Sequence, residues 1–310
     1  MTFFYDAGFA VPIGPHIMPM AKFAMVAAGV REELPNVGIQ RPAPVTVEAL
    51  LRVHSRDYVE AVRSGEPRDL AESQKFPWSP ALFPSVCLTN GGMLAAADCA
   101  LDEGVSAALA SGFHHSCADH GEGFCTFNGL VVALEALRAV GKIRTAAILD
   151  LDLHYGNGTA SLAEERPWMR ALSIYGNDYA HNTAYRDVRE RHHVDGPTHR
   201  SAPLVPCNGN DRGVLIETLA QNVSWLVEGG KPDLLLYQAG ADPLRDDPYS
   251  PLELTHEDLM ERDRMVFEFA KSHGIPLAWV LAGGYSPDIQ KVVRAHLNTA
   301  HACWDVFGDS

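Results

Sequence analysis

The sequence DLDLHYGNG occupies residues 150–158 and directly follows the apolar run at residues 146–149. A short apolar run is typical of a central parallel strand covered on both faces, and open α/β sheets bind ligands at the carboxyl ends of such strands. Side chains two positions apart on a strand share a face, with Cα atoms about 6.5 Å apart. We therefore expect Asp152 and His154 to reach one metal ion, with Asp150 behind them to orient an imidazole.

Three further predicted strands also end in small residues and polar side chains. The residues after these strands decide whether the metal site is real, because Asp-X-Asp-X-His alone can be merely the polar end of a strand. A doubly wound parallel sheet would bring all these exits to one edge and into one pocket. The side chains concerned are the adjacent His114 and His115 after residues 105–110, Asp242 after residues 233–238, and Tyr285 after residues 276–281.

Length and composition favour a single α/β domain over residues 1–310, built on a parallel doubly wound sheet with helices on both faces. The chain has 310 residues, of which 46% are hydrophobic, so a large core is expected. Its formal net charge of −14 argues against a nucleic-acid binder, which normally carries a basic surface. The negative charge suits a cationic substrate, or it serves only to keep the protein soluble.

The cysteines and the amino terminus predict a cytoplasmic protein. The six cysteines are scattered without a Cys-X-X-Cys pair, which indicates neither a zinc ribbon nor a disulfide framework. No basic residue precedes Lys22, and prolines interrupt the apolar positions before it, which argues against a signal peptide. No apolar run approaches the length of a membrane span.

Helical spacing and capping residues predict the elements between these strands. Helices are expected near residues 21–33, 46–51, 89–101, 128–140, 212–228, 255–272 and 289–301, and further strands at residues 1–6 and 170–175. Residues 54–62 either continue the helix at 46–51 or form the next one. Thr46, Asn128 and Thr255 are the predicted helix caps.

Two segments are predicted to be loops. Residues 76–84 carry three prolines, and residues 176–199 form a polar loop with a weak helical piece. Without matched metal-binding partners, the histidines of the second loop are expected to face solvent. They are His181, His192, His193 and His199. Cys117, His120 and Cys125 lack regular ligand spacing and are expected to be packing or rim residues.

The polar side chains at the strand exits suit amide hydrolysis. Two carboxylates and one imidazole leave a metal position open for water or substrate, which is the catalytic rather than the structural pattern. The metal can polarise a carbonyl and lower the pKa of its water. A histidine can take the proton of that water and return it to a leaving amine, while Tyr285 donates to the developing oxyanion.

The motifs GFHHSCADHGEGFCTFNG, DLDLHYGNG, YQAGADPL and AGGY resemble those of the zinc-dependent histone deacetylase family, within the arginase/deacetylase fold. The segments PMAKF and HHSCADHGEGFC are most similar to the class IV deacetylases and the bacterial histone deacetylase-like amidohydrolases. The resemblance implies one catalytic zinc ion and removal of acetyl or longer acyl groups from lysine side chains of proteins or peptides.

The resemblance also implies residue roles. Zinc would bind Asp152, His154 and Asp242. The tandem histidines that bind and deprotonate water would be His114 and His115, with His115 as general base, Asp150 behind His114, and Tyr285 on the acyl oxygen. Gly123, Phe124 and Gly284 would line the substrate tunnel with Tyr179 as its second aromatic residue, and a structural potassium ion would lie near Asp150, Asp152, His154 and Ser173.

One departure concerns the residue behind His115. Some family members have aspartate there, whereas this chain has Asn157, a neutral group that stabilises an imidazolium less. The acidic rim residue that some relatives use to hold a peptide backbone has no counterpart identifiable in the sequence.

Three other functions can be compared with lysine deacylation. A ureohydrolase of the same fold needs two metal ions, but position 156 is glycine and Asp242 is followed by Pro243 and Leu244, so the additional carboxylates are missing. An acetylpolyamine amidohydrolase would use the same chemistry on a smaller amine, and the sequence barely separates it from a lysine deacylase. A non-catalytic acyl-lysine binding protein would be expected to lack the base or Tyr285, and both are present. The oligomeric state is not predicted.

Overall fold

The structure is a computed structural model, and it describes residues 1–179 and 193–308. Within these residues, eight parallel strands form one sheet in the order β2-β1-β3-β8-β7-β4-β5-β6. The strands are β1 (Thr2–Phe4), β2 (Gly38–Gln40), β3 (Val105–Ser111), β4 (Ala146–Asp150), β5 (Met169–Tyr175), β6 (His199–Pro203), β7 (Leu234–Ala239) and β8 (Leu277–Leu281).

Helices flank the sheet on both faces, as the sequence predicts. They are α1 (Lys22–Glu33), α2 (Val47–Leu50), α3 (Arg56–Ser64), α4 (Arg68–Ala71), α5 (Leu82–Glu103), α6 (Gly129–Ala139), α7 (Asn157–Glu164), α8 (Asp211–Asn222), α9 (His256–His273) and α10 (Ile289–Phe307). Helix α5 packs on α6 and on β1, β3 and β8, while α10 packs on α1 and α9. Short 3₁₀ helices occupy Ala7–Phe9 and Val223–Val227.

The central strands are apolar because both of their faces are covered. Every residue of β4 (AAILD), β7 (LLLYQA) and β8 (LAWVL) is buried. Asp150 pairs with Gln238, and Ala239 pairs with Leu281, so the carboxyl ends of these three strands lie side by side. This register brings the polar residues that follow them to one edge of the sheet.

Local capping fixes where several helices begin, and the three predicted caps are confirmed. The Thr46 hydroxyl accepts from the amide of Ala49, and the Asn128 side chain accepts from the amide of Val131. Thr255 forms a capping box with Asp258 at the start of α9.

The structure corrects one predicted boundary and adds two strands. Helix α5 begins at Leu82 rather than near residue 89, because Pro84 lies in its first turn, where the missing amide proton removes no helical hydrogen bond. Strands β2 and β6 have no counterpart among the predicted strands. Both lie at the edges of the sheet, where burial on both faces is not required and an apolar run is absent.

The prediction that the histidines of residues 176–199 face solvent is wrong for His193 and His199. His199 lies on the edge strand β6 and is buried. The ring of His193 stacks on that of Tyr155, with the centroids 3.5 Å apart. The other two, His181 and His192, lie outside the described residues.

Among the described residues, no helix is both long and apolar enough to cross a membrane.

Candidate metal centre and catalytic pocket

Asp152, His154 and Asp242 form a buried cluster at the ends of β4 and β7. Their potential ligand atoms all lie within 4.8 Å of one another. Nδ1 of His154 is 3.1 Å from Oδ1 of Asp152 and 3.1 Å from Oδ2 of Asp242. Two carboxylates and one imidazole nitrogen are a donor set that zinc and similar divalent ions take in proteins. The chemistry and spacing of these side chains therefore fit one metal ion.

The chain builds this cluster by curling after β4 rather than by continuing it. The strand ends at Asp150, whose Oδ1 accepts from the amide of Asp152 at 3.1 Å. Oδ1 of Asp152 in turn accepts from the amide of His154 at 2.9 Å. Such local bonds from an acid to an amide two residues on make turns. The straight-strand spacing expected from the sequence is thus wrong, although the two side chains do converge.

A glycine lets the exit of β8 approach the cluster. The amide of Gly283 donates to Oδ2 of Asp152 at 2.7 Å. A Cβ atom at position 283 would lie 1.9 Å from Oδ2 of Asp242, far inside van der Waals contact. Only glycine leaves room for this approach without moving a carboxylate.

The cluster strongly favours positive charge at its centre. Burial lowers the pKa of His154, but its hydrogen bonds and charge interactions with Asp152 and Asp242 outweigh burial and raise that pKa to about 10. Burial, followed by repulsion from Asp152, raises the pKa of Asp242 to about 7. A divalent cation would supply the positive charge that a proton on His154 otherwise provides.

Two buried cations that sequence reasoning missed hold the backbone around the cluster. Nη1 of Arg262 donates to the carbonyls of Leu151 at 3.1 Å and Gly240 at 2.8 Å. Nζ of Lys22 donates to the carbonyl of Ala282 at 2.5 Å, and burial lowers the pKa of Lys22 to about 8. Each of these basic residues lies on the buried face of its helix, and its position among the apolar residues of that face could have identified it from the sequence.

The adjacent histidines have different partners. Nδ1 of His114 is 2.7 Å from Oδ2 of Asp150, and Nδ1 of His115 is 2.7 Å from Oδ1 of Asn157. The structure thus brings each histidine to the residue expected behind it. Burial lowers the pKa of His114, but the charges of Asp150 and Asp152 and the hydrogen bond to Asp150 together outweigh it, and the pKa is raised. Burial and the nearby charge of His114 hold the pKa of His115 well below its usual value.

A further acid, Glu122, lies behind Asn157 and was not identified from the sequence. Nδ2 of Asn157 donates to Oε2 of Glu122 at 3.0 Å, and Glu122 is only 5% exposed. Its Oε1 lies 3.3 Å from Nε2 of His120, whose Nδ1 is 2.7 Å from Oδ1 of Asp119. A glutamate beside glycines in a polar loop gives no sequence signal for burial.

One cavity of about 60 Å³ opens onto these groups. The Tyr179 ring stacks on that of His115, with centroids 3.8 Å apart, and the Phe124 ring lies 6.1 Å from that of Tyr285. Gly284 is not among the residues that line the cavity, contrary to the sequence expectation. The expected residues that do line it are His115, Gly123, Phe124, His154, Tyr179 and Tyr285.

Two residues of the cavity wall were missed from the sequence. Tyr249 has its ring centroid 5.4 Å from that of Tyr285, and the amides of both tyrosines donate to the carboxylate of Asp247. Lys75 also lines the cavity and is exposed. Neither residue directly follows an apolar run, so the sequence pattern that marks the strand ends does not mark them.

Known proteins resemble the chain in sequence and in fold. An uncharacterized protein of Picosynechococcus sp. is 29% identical over 98% of this chain and 98% of that protein. The histone deacetylase-like amidohydrolase of Pseudomonas aeruginosa is 29% identical over 78% of this chain and 65% of that protein. The crystal structure of the HDA15 HD domain has the same fold, with a TM-score of 0.79 at 19% identity over 100% of this chain and 91% of that one.

The histone deacetylase domain matches residues 16–300, which is nearly the whole chain. The match includes every strand exit that contributes to the cavity. The chain therefore belongs to the histone deacetylase family.

Proposed function

We propose that this chain is a zinc-dependent amidohydrolase that removes acetyl or longer acyl groups from lysine side chains. One observation carries the proposal: a metal-ligand residue, the histidine expected to act as base and the oxyanion tyrosine line the same cavity. These residues are His154, His115 and Tyr285. A non-catalytic binding protein would have no need for all three.

Asp152, His154 and Asp242 would hold the zinc ion, which supplies Lewis-acid polarisation of the acyl carbonyl and acidifies the attacking water. His115 takes the proton of that water at Nε2 and returns it to the leaving amine. Its lowered pKa, caused mainly by burial, keeps the imidazole neutral and able to accept a proton.

Tyr285 and His114 complete the proposed mechanism. Burial raises the pKa of Tyr285 well above its usual value, so the hydroxyl stays protonated and can donate to the developing oxyanion. Asp150 accepts from Nδ1 of His114 and fixes the orientation of that ring toward the attacking water.

The cavity wall supports an acyl-lysine substrate. Phe124, Tyr179 and Tyr249 present aromatic surface to an extended methylene stem. An acetylpolyamine is the second candidate because the same groups would cleave it, but its remaining amines would carry positive charge past Lys75.

A side-by-side turnover panel tests this proposal. The zinc-loaded protein is given acetyl-lysine peptides, long-chain acyl-lysine peptides and acetylpolyamines, and amine release is measured. We expect the highest kcat/KM on an acyl-lysine peptide. Highest turnover of an acetylpolyamine would favour the second candidate, and acyl-lysine binding without any turnover would favour a binding protein.

We also propose a structural potassium ion near Asp150, Asp152, His154 and Ser173. In support, Ser173 pairs with Asp150 across β4 and β5, and its hydroxyl accepts from the amide of Gly156 at 3.2 Å. Replacing potassium by tetramethylammonium should lower the unfolding temperature, and an unchanged unfolding temperature would contradict the proposal. The cytoplasmic location remains a prediction from the cysteine pattern.

A further inference from the structure

The side-chain amide of Asn157 connects His115 to a buried carboxylate. Its Oδ1 is 2.7 Å from Nδ1 of His115, and its Nδ2 donates to Oε2 of Glu122 at 3.0 Å. Asn157 begins helix α7, whereas the other two residues lie on the loop between β3 and α6. The contact therefore joins two separate elements directly behind the proposed base.

Glu122 determines which side-chain atom of Asn157, the oxygen or the nitrogen, faces the imidazole of His115. An ionised carboxylate only accepts hydrogen bonds, so Glu122 requires the NH₂ group of Asn157 on its side. The amide oxygen must then face His115, and an oxygen at Nδ1 requires a proton on Nδ1. The neutral ring consequently presents an unprotonated Nε2.

A second side chain, that of His120, contacts the same carboxylate. Nε2 of His120 lies 3.3 Å from Oε1 of Glu122. Burial lowers the pKa of His120, but hydrogen bonds to Asp119 and Glu122 outweigh it and raise the pKa. When His120 carries a proton, its positive charge lies against the Glu122 carboxylate, and little solvent screens the contact because Glu122 is buried.

We propose that Glu122 is a positioning residue for His115, which acts through Asn157 to select the tautomer with the proton on Nδ1. Glu122 also supplies a negative charge behind Asn157, in place of the charge that an aspartate at position 157 would place directly on His115. The catalytic consequence rests on the proposed function, whereas the choice of tautomer does not. A neutral His115 with the opposite tautomer would have no lone pair on Nε2 and could not accept a proton there.

Glu122→Gln tests the catalytic consequence. The new amide can present either its oxygen or its NH₂ group to Asn157, so the orientation of Asn157 is no longer fixed. We expect kcat on the best acyl-lysine peptide to fall about 10-fold, as for other residues that orient a site from behind, with KM changed less than about 2-fold. Glu33→Gln is the matched control, because Glu33 also accepts from a histidine, His301, on helices away from the cavity.

A double variant that moves the negative charge from position 122 to position 157 tests whether Glu122 positions His115 or only stabilises its loop. In Glu122→Gln combined with Asn157→Asp, the carboxylate contacts Nδ1 of His115 directly and enforces the same tautomer. We expect the double variant to recover at least half of the kcat that Glu122→Gln loses. If Glu122 only stabilises its loop, the double variant will be no faster than Glu122→Gln.

The tautomer itself can be observed without turnover. In zinc-free protein, the ¹⁵N shifts of the His115 ring, assigned by their loss in His115→Phe, should show a protonated Nδ1 and an unprotonated Nε2. Glu122→Gln should give a mixture of tautomers. A wild-type ring protonated on Nε2, or an unchanged single tautomer together with unchanged kcat in Glu122→Gln, would overturn the proposal. Lack of turnover on every substrate would reject the proposed function while leaving the tautomer result valid.

Discussion

His154 and His115 face the same cavity with ring centroids 5.9 Å apart, yet their pKa values are shifted in opposite directions. Both rings are buried. Hydrogen bonds to two carboxylates raise the pKa of His154 to about 10, whereas burial and neighbouring histidines hold that of His115 well below its usual value. The partners of each ring, rather than its depth, therefore decide its charge.

The two sides of the cavity differ accordingly in how they are built. We call the side with Asp152, His154 and Asp242 the metal wall, and the loop at residues 111–129 the histidine wall. Buried cations fix the backbone of the metal wall, as Arg262 does through two carbonyls. On the histidine wall, a side-chain amide, that of Asn157, contacts His115 where His154 contacts carboxylates. One side thus concentrates negative charge around a position for a cation, and the other holds the pKa of His115 low.

The largest expected effect is the loss of the metal wall. In Asp152→Asn, one of the two carboxylates of the cluster becomes neutral, and we expect zinc binding and turnover to be abolished. Metal content after dialysis, measured by plasma mass spectrometry, checks this. Asp233→Asn is the control, because Asp233 accepts from backbone amides at the opposite edge of the sheet. Full zinc occupancy with normal turnover in Asp152→Asn would refute the assignment.

Removal of the proposed oxyanion donor, Tyr285, should leave both walls intact and still impair catalysis. We expect Tyr285→Phe to lower kcat about 10²-fold or more, since the loss of one donor to an oxyanion commonly has that effect. Zinc content and unfolding temperature should match those of the wild type. Tyr5→Phe, outside the cavity, serves as the control, and an unchanged kcat in Tyr285→Phe would remove this residue from the mechanism.

Arg262→Lys tests whether the metal wall depends on its buried cation. Lysine keeps the charge beside Asp263 but lacks the fork that reaches the carbonyls of Leu151 and Gly240. We expect zinc affinity, measured by competition with a chelator, to fall about 10- to 100-fold. Arg264→Lys, on the exposed side of the same helix, should have no effect. Equal zinc affinities for the two variants would show that the metal wall needs only the positive charge at position 262 and not the hydrogen bonds to the two carbonyls.

The smallest effect concerns the stability of the histidine wall. His54 is buried, with Nδ1 2.9 Å from the carbonyl of Cys117, and its Nε2 accepts from the amide of Asn128. These bonds require a neutral ring, and burial lowers the pKa of His54 to about 4. The unfolded chain binds this proton near pH 6.5, so the contribution to stability is present above that pH and is lost as the pH falls toward 4.

Urea unfolding across this pH range measures the contribution. Over the full range the wild type should lose about 3 kcal/mol of unfolding free energy through this group. His54→Gln can donate to the same carbonyl and accept from the same amide but does not titrate. It should therefore show a smaller loss between pH 6.5 and 4, and parallel pH profiles for the two proteins would contradict the prediction.

The sequence was sufficient to predict the central sheet and the main residues around the cavity. Apolar runs marked β3, β4, β7 and β8, and the polar residues after them do converge. Glu122 and Arg262 could not be identified in this way. Arg262 contacts the carbonyl of Leu151 across 111 positions of sequence, and no local pattern records such a contact.

The sequence by itself determined which polar groups follow the central strands, because a parallel strand buried on both faces must be apolar and its ligand-binding residues must follow its end. Tertiary structure alone decided how those groups behave. The curled backbone after Asp150, the amide between His115 and Glu122, and the opposite pKa shifts of two nearby imidazoles all depend on partners from separate elements. Burial makes those contacts strong, and only the folded chain establishes it.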